Sequence, residues 1–344
     1  MEAQWEQEWY QEWGKIILNK RFQPWNWYFV TANPNYTFEL HQKLITNYQS
    51  NYYFQISKSP RITWDFIVSH SKEPWDNFGV SMNPNITPEI VENNPDYPWC
   101  WLSLSQNVNI TLDFIQAHLD KNWHWETLTL NPNITFDIIE SNSHLPWVFD
   151  WFMFSQKGNI TWDIVQKNPE KPWDWDGLSK NPSFTWDIIK ENLNKPWNWD
   201  EISQRPIVTP EIVKAYPDLN WSYSGLSRNP SMTWDYLHTL PEDKLDWYCI
   251  SSNPCITIEI VEDNPEKPWD WRGFSCNPNL TWDYVENHPE IEWNWVGLSL
   301  NPMTRAKEEF LRQKRLDYYQ PILEKLLDET NAPSQLTNLI LQEI

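Results

Sequence analysis

Two residue types recur in this chain where they could do chemistry. Eleven carboxylates, Glu39, Asp65, Glu89, Asp113, Asp137, Asp163, Asp187, Glu211, Asp235, Glu259 and Asp283, follow one another at 24 residues, with two spacings of 26. Such a ladder can attract basic protein segments or cations. Directly before five of these acids stand Trp64, Trp162, Trp186, Trp234 and Trp282. A half-exposed indole beside a carboxylate suits a protein-binding surface, where aromatic anchors carry much of the energy. It also suits a sugar platform, the ring stacking on an apolar sugar face while Asp and Asn take the hydroxyls. The candidate partner-binding set is therefore Trp64, Trp162, Trp186, Trp234 and Trp282 with Asp65, Asp163, Asp187, Asp235 and Asp283. Each type also has a local explanation. An acid in the first turn of a helix meets the positive end of the helix dipole, worth about 0.3–1 kcal/mol, and a ring repeated at fixed phase can serve packing between repeats.

Other chemistries find no constellation. The seven histidines, His41, His70, His118, His124, His144, His238 and His288, share no phase, and neither His-Glu-x-x-His nor Gly-x-Ser-x-Gly occurs. Cys100, Cys249, Cys255 and Cys276 form no Cys-x-x-Cys pair, which argues against a zinc or disulfide framework. The 26 basic residues stand against 47 acidic ones, a net charge of −21, and long contact with nucleic acid needs the opposite balance. No stretch reaches the length of about 18 apolar residues that a membrane span needs, and residues 1–21 carry Glu2, Glu6, Glu8 and Glu12 where a signal peptide would be apolar. The expectation is a reduced, intracellular protein that is not secreted, with no enzymatic activity and no cofactor.

The elements that position these residues come from the repeat itself. A threonine stands two residues before every acid of the ladder, from Thr37 to Thr281, mostly closing an Asn-Pro-x-x-Thr segment such as Asn-Pro-Asn-Ile-Thr. Threonine accepts a hydrogen bond from an orphan first-turn N–H and so caps a helix. Thr87-Pro88 and Thr209-Pro210 place proline at the first helical position, where its missing N–H costs nothing. Apolar residues before the cap and four after it, such as Ile160 with Val165 and Phe184 with Ile189, have staple spacing. Asn-Pro pairs at Asn94, Asn168 and Asn264 predict a stop with Asn in the left-handed conformation. A second helix follows, capped by residues such as Asp174 or Asn198, with Trp173 or Trp197 before the cap and Leu178 or Ile202 four beyond it. It too stops at Asn-Pro, as at Asn181 and Asn229. Gly79, Gly177, Gly225, Gly273 and Gly297 share one phase in this helix and predict close approach of a backbone or a ring.

Helices this short gain order only by packing on neighbours. The predicted fold is an all-α, right-handed α-solenoid of about eleven 24-residue two-helix repeats. Residues 1–22 form an N-terminal helical cap, residues 23–304 the array and residues 305–344 a C-terminal helical cap, with Pro321 and Pro333 dividing the last part into helices Ile322 to Glu329 and Ser334 to Ile344. The paired rings, such as Trp173/Trp175, Trp197/Trp199, Trp269/Trp271 and Trp293/Trp295, are expected in the core. In the 26-residue copy around Trp147 to Phe154, two extra residues form a tolerated loop or a bulge toward a partner.

The elements Asn-Pro-Asn-Ile-Thr-Trp-Asp and Lys-Pro-Trp-Asp-Trp, recurring in fixed phase over about residues 24–304, resemble the repeat of a family of tandem-repeat proteins encoded by giant DNA viruses of the mimivirus and marseillevirus kind. The resemblance implies a viral origin and a setting in the host cell or the virion; it brings no catalytic residues. The expected function is a non-enzymatic scaffold for a protein partner of basic character. A structural role in a virus particle and a glycan-binding module using exposed Trp and Asp are the alternatives.

Overall fold

The computed structural model describes residues 1–20, 23–45 and 53–330, and every regular element among them is a helix. Between Trp27 and Leu300 the α-helices are four to eight residues long and pack on their neighbours in the manner of an α-solenoid. The chain divides into two compact units, one of Gln49–Cys249 and one of Met1–Tyr48 with Ile250–Ile344.

Local structure follows the residues read as caps. Thr63, Thr135 and Thr185 accept from the N–H three residues on, at 3.2, 3.3 and 3.4 Å. Thr209 and Thr233 occupy the cap without making that bond. At Asp174 and Asn198 the second helix starts on shorter bonds: Gly177 N donates to Asp174 Oδ1 at 2.8 Å, and Asp200 N to Asn198 Oδ1 at 3.0 Å. The expected left-handed stop is absent. Asn94, Asn168 and Asn264 end their helices at φ −131°, −126° and −131°, and Met303 is the one non-glycine residue of positive φ among the described residues. The following proline favours extended backbone. The amide Nδ2 of each Asn instead donates to the carbonyl four residues back, Ile90, Ile164 or Ile260, at 2.8 Å, closing the helix through the side chain.

Three apolar positions per repeat fill the interior. The residue before Thr (Ile160, Phe184), the one four after it (Val165, Ile189) and one in the second helix (Leu178, Ile202) are at most 6% exposed. The paired rings border this core more than they fill it: Trp197 and Trp269 are buried, whereas Trp173, Trp175, Trp199, Trp271, Trp293 and Trp295 are half-buried. A buried indole N–H needs an acceptor, and the first ring of each pair finds it close by. Trp173 Nε1 donates to Asn168 O at 2.8 Å and Trp197 Nε1 to Asn192 O at 2.9 Å. The second ring then meets the first ring of the next repeat edge to face, as in Trp175–Trp197 (5.0 Å, 83°) and Trp199–Trp221 (5.2 Å, 84°).

Polar side chains make the joint between repeats. Ser179 Oγ, fully buried, donates to Trp175 O and accepts from Asn198 N, the cap of the next second helix, at 2.9 Å. Nineteen-residue links of the same kind run from Ser57 to Asp76, Ser203 to Ser222 and Ser275 to Asn294. The buried Asn that ends the second helix reaches back in turn: Asn181 Nδ2 meets Ser155 O, Lys157 O and Ile160 O at 2.9 Å each. Two repeats replace this Asn with a cation. Lys157 Nζ donates to Thr129 O, Asn131 O and Ile134 O, and Arg205 to Ser179 O and Phe184 O. Glycine permits the close approach, as expected: a Cβ on Gly79, Gly177 or Gly225 would lie 2.3–2.7 Å from a carbonyl oxygen of the preceding repeat.

In the unit of Met1–Tyr48 and Ile250–Ile344 these joints continue out of chain order. Asn26 N donates to Ser299 Oγ at 3.0 Å, Asn33 Nδ2 to Ser299 O and Asn301 O at 3.1 and 2.9 Å, and Asn35 Nδ2 to Pro302 O at 2.8 Å. Trp25 meets Trp295 edge to face at 5.0 Å and 86°. The N-terminal repeat thus stands where the repeat after Asn301 would stand. Helix Glu2–Asn19 lies over it, Trp9 Nε1 bonding Asn35 Oδ1 at 2.9 Å, and packs on helix Thr304–Thr330 through Trp9–Phe310 and Trp5–Tyr318. The ion pairs Lys307–Glu6, Lys314–Glu8 and Arg315–Glu2 flank that contact.

Two sequence expectations about the C-terminus need correction or fall outside these residues. Pro321 does not divide the chain, because Thr304–Thr330 is one helix with the proline inside it. The expected helix Ser334 to Ile344 lies outside the described residues. In the 26-residue copy the extra pair is Val148 and Phe149, between Trp147 and the cap Asp150. Phe149 folds inward onto Trp151 (4.9 Å, 12°) and Phe154 (5.2 Å, 87°), while Val148 stays exposed.

Candidate interaction surface

The capped first helix places the candidate residues. With Thr at the cap, the tryptophan is the first helical residue and the acid the second, so the two side chains leave the helix in different directions. Trp64, Trp162, Trp186, Trp234 and Trp282 are all half-buried, and Asp65, Asp163, Asp187, Asp235 and Asp283 are all exposed. One side of four of these rings is held by the first paired ring of the next repeat: Trp64–Trp99 at 5.4 Å, Trp162–Trp197 at 5.9 Å, Trp186–Trp221 at 5.6 Å and, by the out-of-order joint, Trp282–Trp25 at 5.8 Å; Trp234 meets His238 at 5.6 Å. Thus packing uses part of each indole and leaves the rest at the surface.

The acids differ in what they meet. Asp163 pairs with Lys167 at 2.7 Å and Asp187 with Lys190 at 2.6 Å, both on their own helices. Asp65, Asp235 and Asp283 make no ion pair among the described residues. Glu259 is held by the Arg305 guanidinium at 2.6 Å and by the Thr257 hydroxyl, which brings its carboxyl down to about 2. The Thr209 hydroxyl likewise lowers Glu211. These two acids serve their helix ends and neighbours, whereas the unpaired ones keep their charge for solvent or a partner.

Beside the first-position rings lie grooves between consecutive connecting loops. One, about 600 Å³, is lined by Trp64, Ile67, Val68, Glu73, Pro74 and Trp75 and by the segment 93–98. Its counterpart around Trp162, about 440 Å³, is built from equivalent positions. Their chemistry is opposite. The first carries Glu73 and Asp96 with no basic residue, and the second Lys171 and Lys195 with no acid. This contrast escapes a sequence reading centred on the repeated acids, because the residue before Pro-Trp changes identity from copy to copy: Glu73, Tyr97, Leu145, Lys171, Lys195 and Lys267.

Buried titratable groups belong to the joints. Desolvation draws the Lys157 ammonium down to about 8 and the Arg205 guanidinium to about 10. Burial pushes the Cys255 thiol up to about 12. The four cysteines are half-buried and form no disulfide among the described residues, and no group of three or more His, Cys, Asp or Glu that could hold a metal ion occurs among them. No helix of these residues is long and apolar enough to cross a membrane. The sequence also did not flag the serine ladder. Serine is a common surface residue, and only its 24-residue recurrence, read together with the next cap, could have marked it as a joint. Comparison with known proteins gives no matching family model, no matching curated protein and no matching solved structure.

Proposed function

We propose that the chain is a non-enzymatic repeat scaffold that binds a basic protein partner along its first-helix edge. The observation that carries this reading is the recurring pair of a half-buried indole and an exposed carboxylate at the first two positions of the first helix. Half-exposed aromatic rings supply anchoring area, and the exposed acids, of which Asp65, Asp235 and Asp283 make no ion pair among the described residues, supply charge complementarity and encounter rate. Successive pairs within a unit are about 10 Å apart, the usual spacing of packed helices. An extended partner advances that distance in roughly three residues. The giant-virus setting suggested by the repeat motif is part of this proposal.

The reading is tested with a dodecapeptide of alternating Lys and Ala against its Glu–Ala counterpart, using the full chain. Binding of the Lys peptide should weaken steeply between about 50 and about 500 mM salt. It should weaken also when Asp65, Asp163, Asp187 and Asp235 are changed together to Asn. Equal affinity at both salt concentrations, or equal binding of the acidic peptide, would sink it.

A further inference from the structure

We infer that the groove beside Trp64 is a docking subsite for a cationic stretch of the partner, an arginine flanked by an apolar or prolyl residue. This rests on the scaffold reading above and assigns a place and a side-chain chemistry to it. The walls are aromatic and prolyl: Trp64, Trp75 and Tyr97, with Pro74, Pro95 and Pro98. Val68 on the floor is 54% exposed, so apolar surface lies open to solvent. The volume of about 600 Å³ suits a ligand of a few residues.

Charge selects the occupant. Glu73 and Asp96 line the groove and no cationic side chain does, whereas the equivalent groove at Trp162 supplies two lysines of its own. Glu73 is steadied by the Tyr53 hydroxyl at 2.5 Å and stays an acceptor for a second donor.

The array itself shows how a cation sits against a ring at this phase. Lys171 Nζ lies 5.7 Å from the centroid of Phe136, the first-position ring of the preceding repeat, and pairs with Glu140 at 2.8 Å. At the Trp64 ring the place that Lys171 takes at the Phe136 ring belongs to Tyr97, which meets Trp64 edge to face at 5.2 Å. The aromatic surface and the acids are present there, and the cation is left for the partner to bring. Arginine suits this better than lysine, because its planar guanidinium stacks on indole while its edge donates to carboxylates.

The test uses acetyl-Pro-Arg-Pro-Arg-amide and acetyl-Pro-Glu-Pro-Glu-amide, titrated into the full chain at low salt and read by tryptophan fluorescence and calorimetry. The Arg peptide should bind and the Glu peptide should not. Asp96→Asn, at an exposed residue, and Glu73→Gln, which retains a partner for Tyr53, should together weaken binding roughly fivefold or more. Trp64→Leu should weaken it as well, and Lys171→Gln with Lys195→Gln should not. If the groove variants bind the Arg peptide as the parent does, the subsite is wrong while the scaffold reading stands. If the parent binds neither this peptide nor the Lys–Ala dodecapeptide, both fall. Circular dichroism of each variant separates lost binding from lost fold, and Asp96→Asn alone keeps the test decisive if Trp64→Leu unfolds.

Discussion

Replacing Asn33 by alanine tests the out-of-order joint most directly. The Asn33 side chain is 4% exposed and makes three hydrogen bonds, two donated to Ser299 O and Asn301 O and one accepted from Asn35 N at 2.9 Å. At about 1 kcal/mol each, their loss costs about 3 kcal/mol, and more if water cannot reach the two carbonyls left in the joint. Local opening of the joint then becomes roughly a hundredfold more frequent, since 1.4 kcal/mol is tenfold. Hydrogen exchange read by mass spectrometry should show that loss of protection in residues 25–36 and 294–302. The joint of Ser203 with Asn229, in the other unit, should keep its rate. Unchanged exchange at 294–302, with faster exchange elsewhere, would refute the placement of the N-terminal repeat on Ser299 and Asn301.

Gly177→Ala would set a Cβ 2.3 Å from Phe152 O and should lower the denaturation midpoint by more than about 1 kcal/mol in free energy, whereas Gly158→Ala meets only Pro182 Cγ at 3.4 Å and should be neutral or stabilise by up to about 1 kcal/mol. Parallel urea titrations compare the two, and equal destabilisation would contradict the close-approach argument. Thr185→Ala removes a long cap bond of 3.4 Å and should cost about 0.5 kcal/mol, at the low end for caps; Asp174→Ala removes one of 2.8 Å and should cost more, so the reverse order in the same assay would count against hydrogen bonding as the source of capping. Lys157 titrates near 8 in the folded chain, below its unfolded value near 10.4, so between these values the unfolded state holds more protons and stability should rise with pH. That rise should vanish in Lys157→Met, and a parent with a flat or falling profile from about pH 8 to 10, relative to the variant, would show that the three carbonyl acceptors hold the ammonium charged.

The helix pattern was legible because its signals are local. A Thr cap, a Pro at the next position and an apolar staple lie within five residues, and the helices begin where these residues put them. The stops were misread for the same reason. Asn before Pro suggests a left-handed residue from the backbone alone, but the Asn94 side chain reaches Ile90 O and makes that conformation unnecessary. Pro321 misled because a helix-breaking residue was weighed without the contacts that hold Thr304–Thr330 against Glu2–Asn19. The joint of Asn33 with Ser299 could not be seen at all. Most repeats present the same Ser and Asn, so the sequence says which surfaces match without saying which copies meet.

That sameness also separates holding from recognising. Residues that join repeats recur with little change: Ser at 57, 81, 105, 155, 179 and 203, and Asn at 83, 107, 131 and 181. Where one changes, Lys157 still donates to all three of the equivalent carbonyls and Arg205 to two of them. The residue before Pro-Trp obeys no such constraint, passing from Glu73 to Tyr97 to Lys171 with its backbone role intact and its groove changed from acidic to basic. A position whose charge reverses between copies of one fold contributes little to that fold, so differences between copies there are free to encode a partner. The first-position tryptophan stands between the two cases, with one side against the next repeat's ring and the other open. Substituting it should therefore lower both stability and binding, whereas changing Asp96 should lower binding alone.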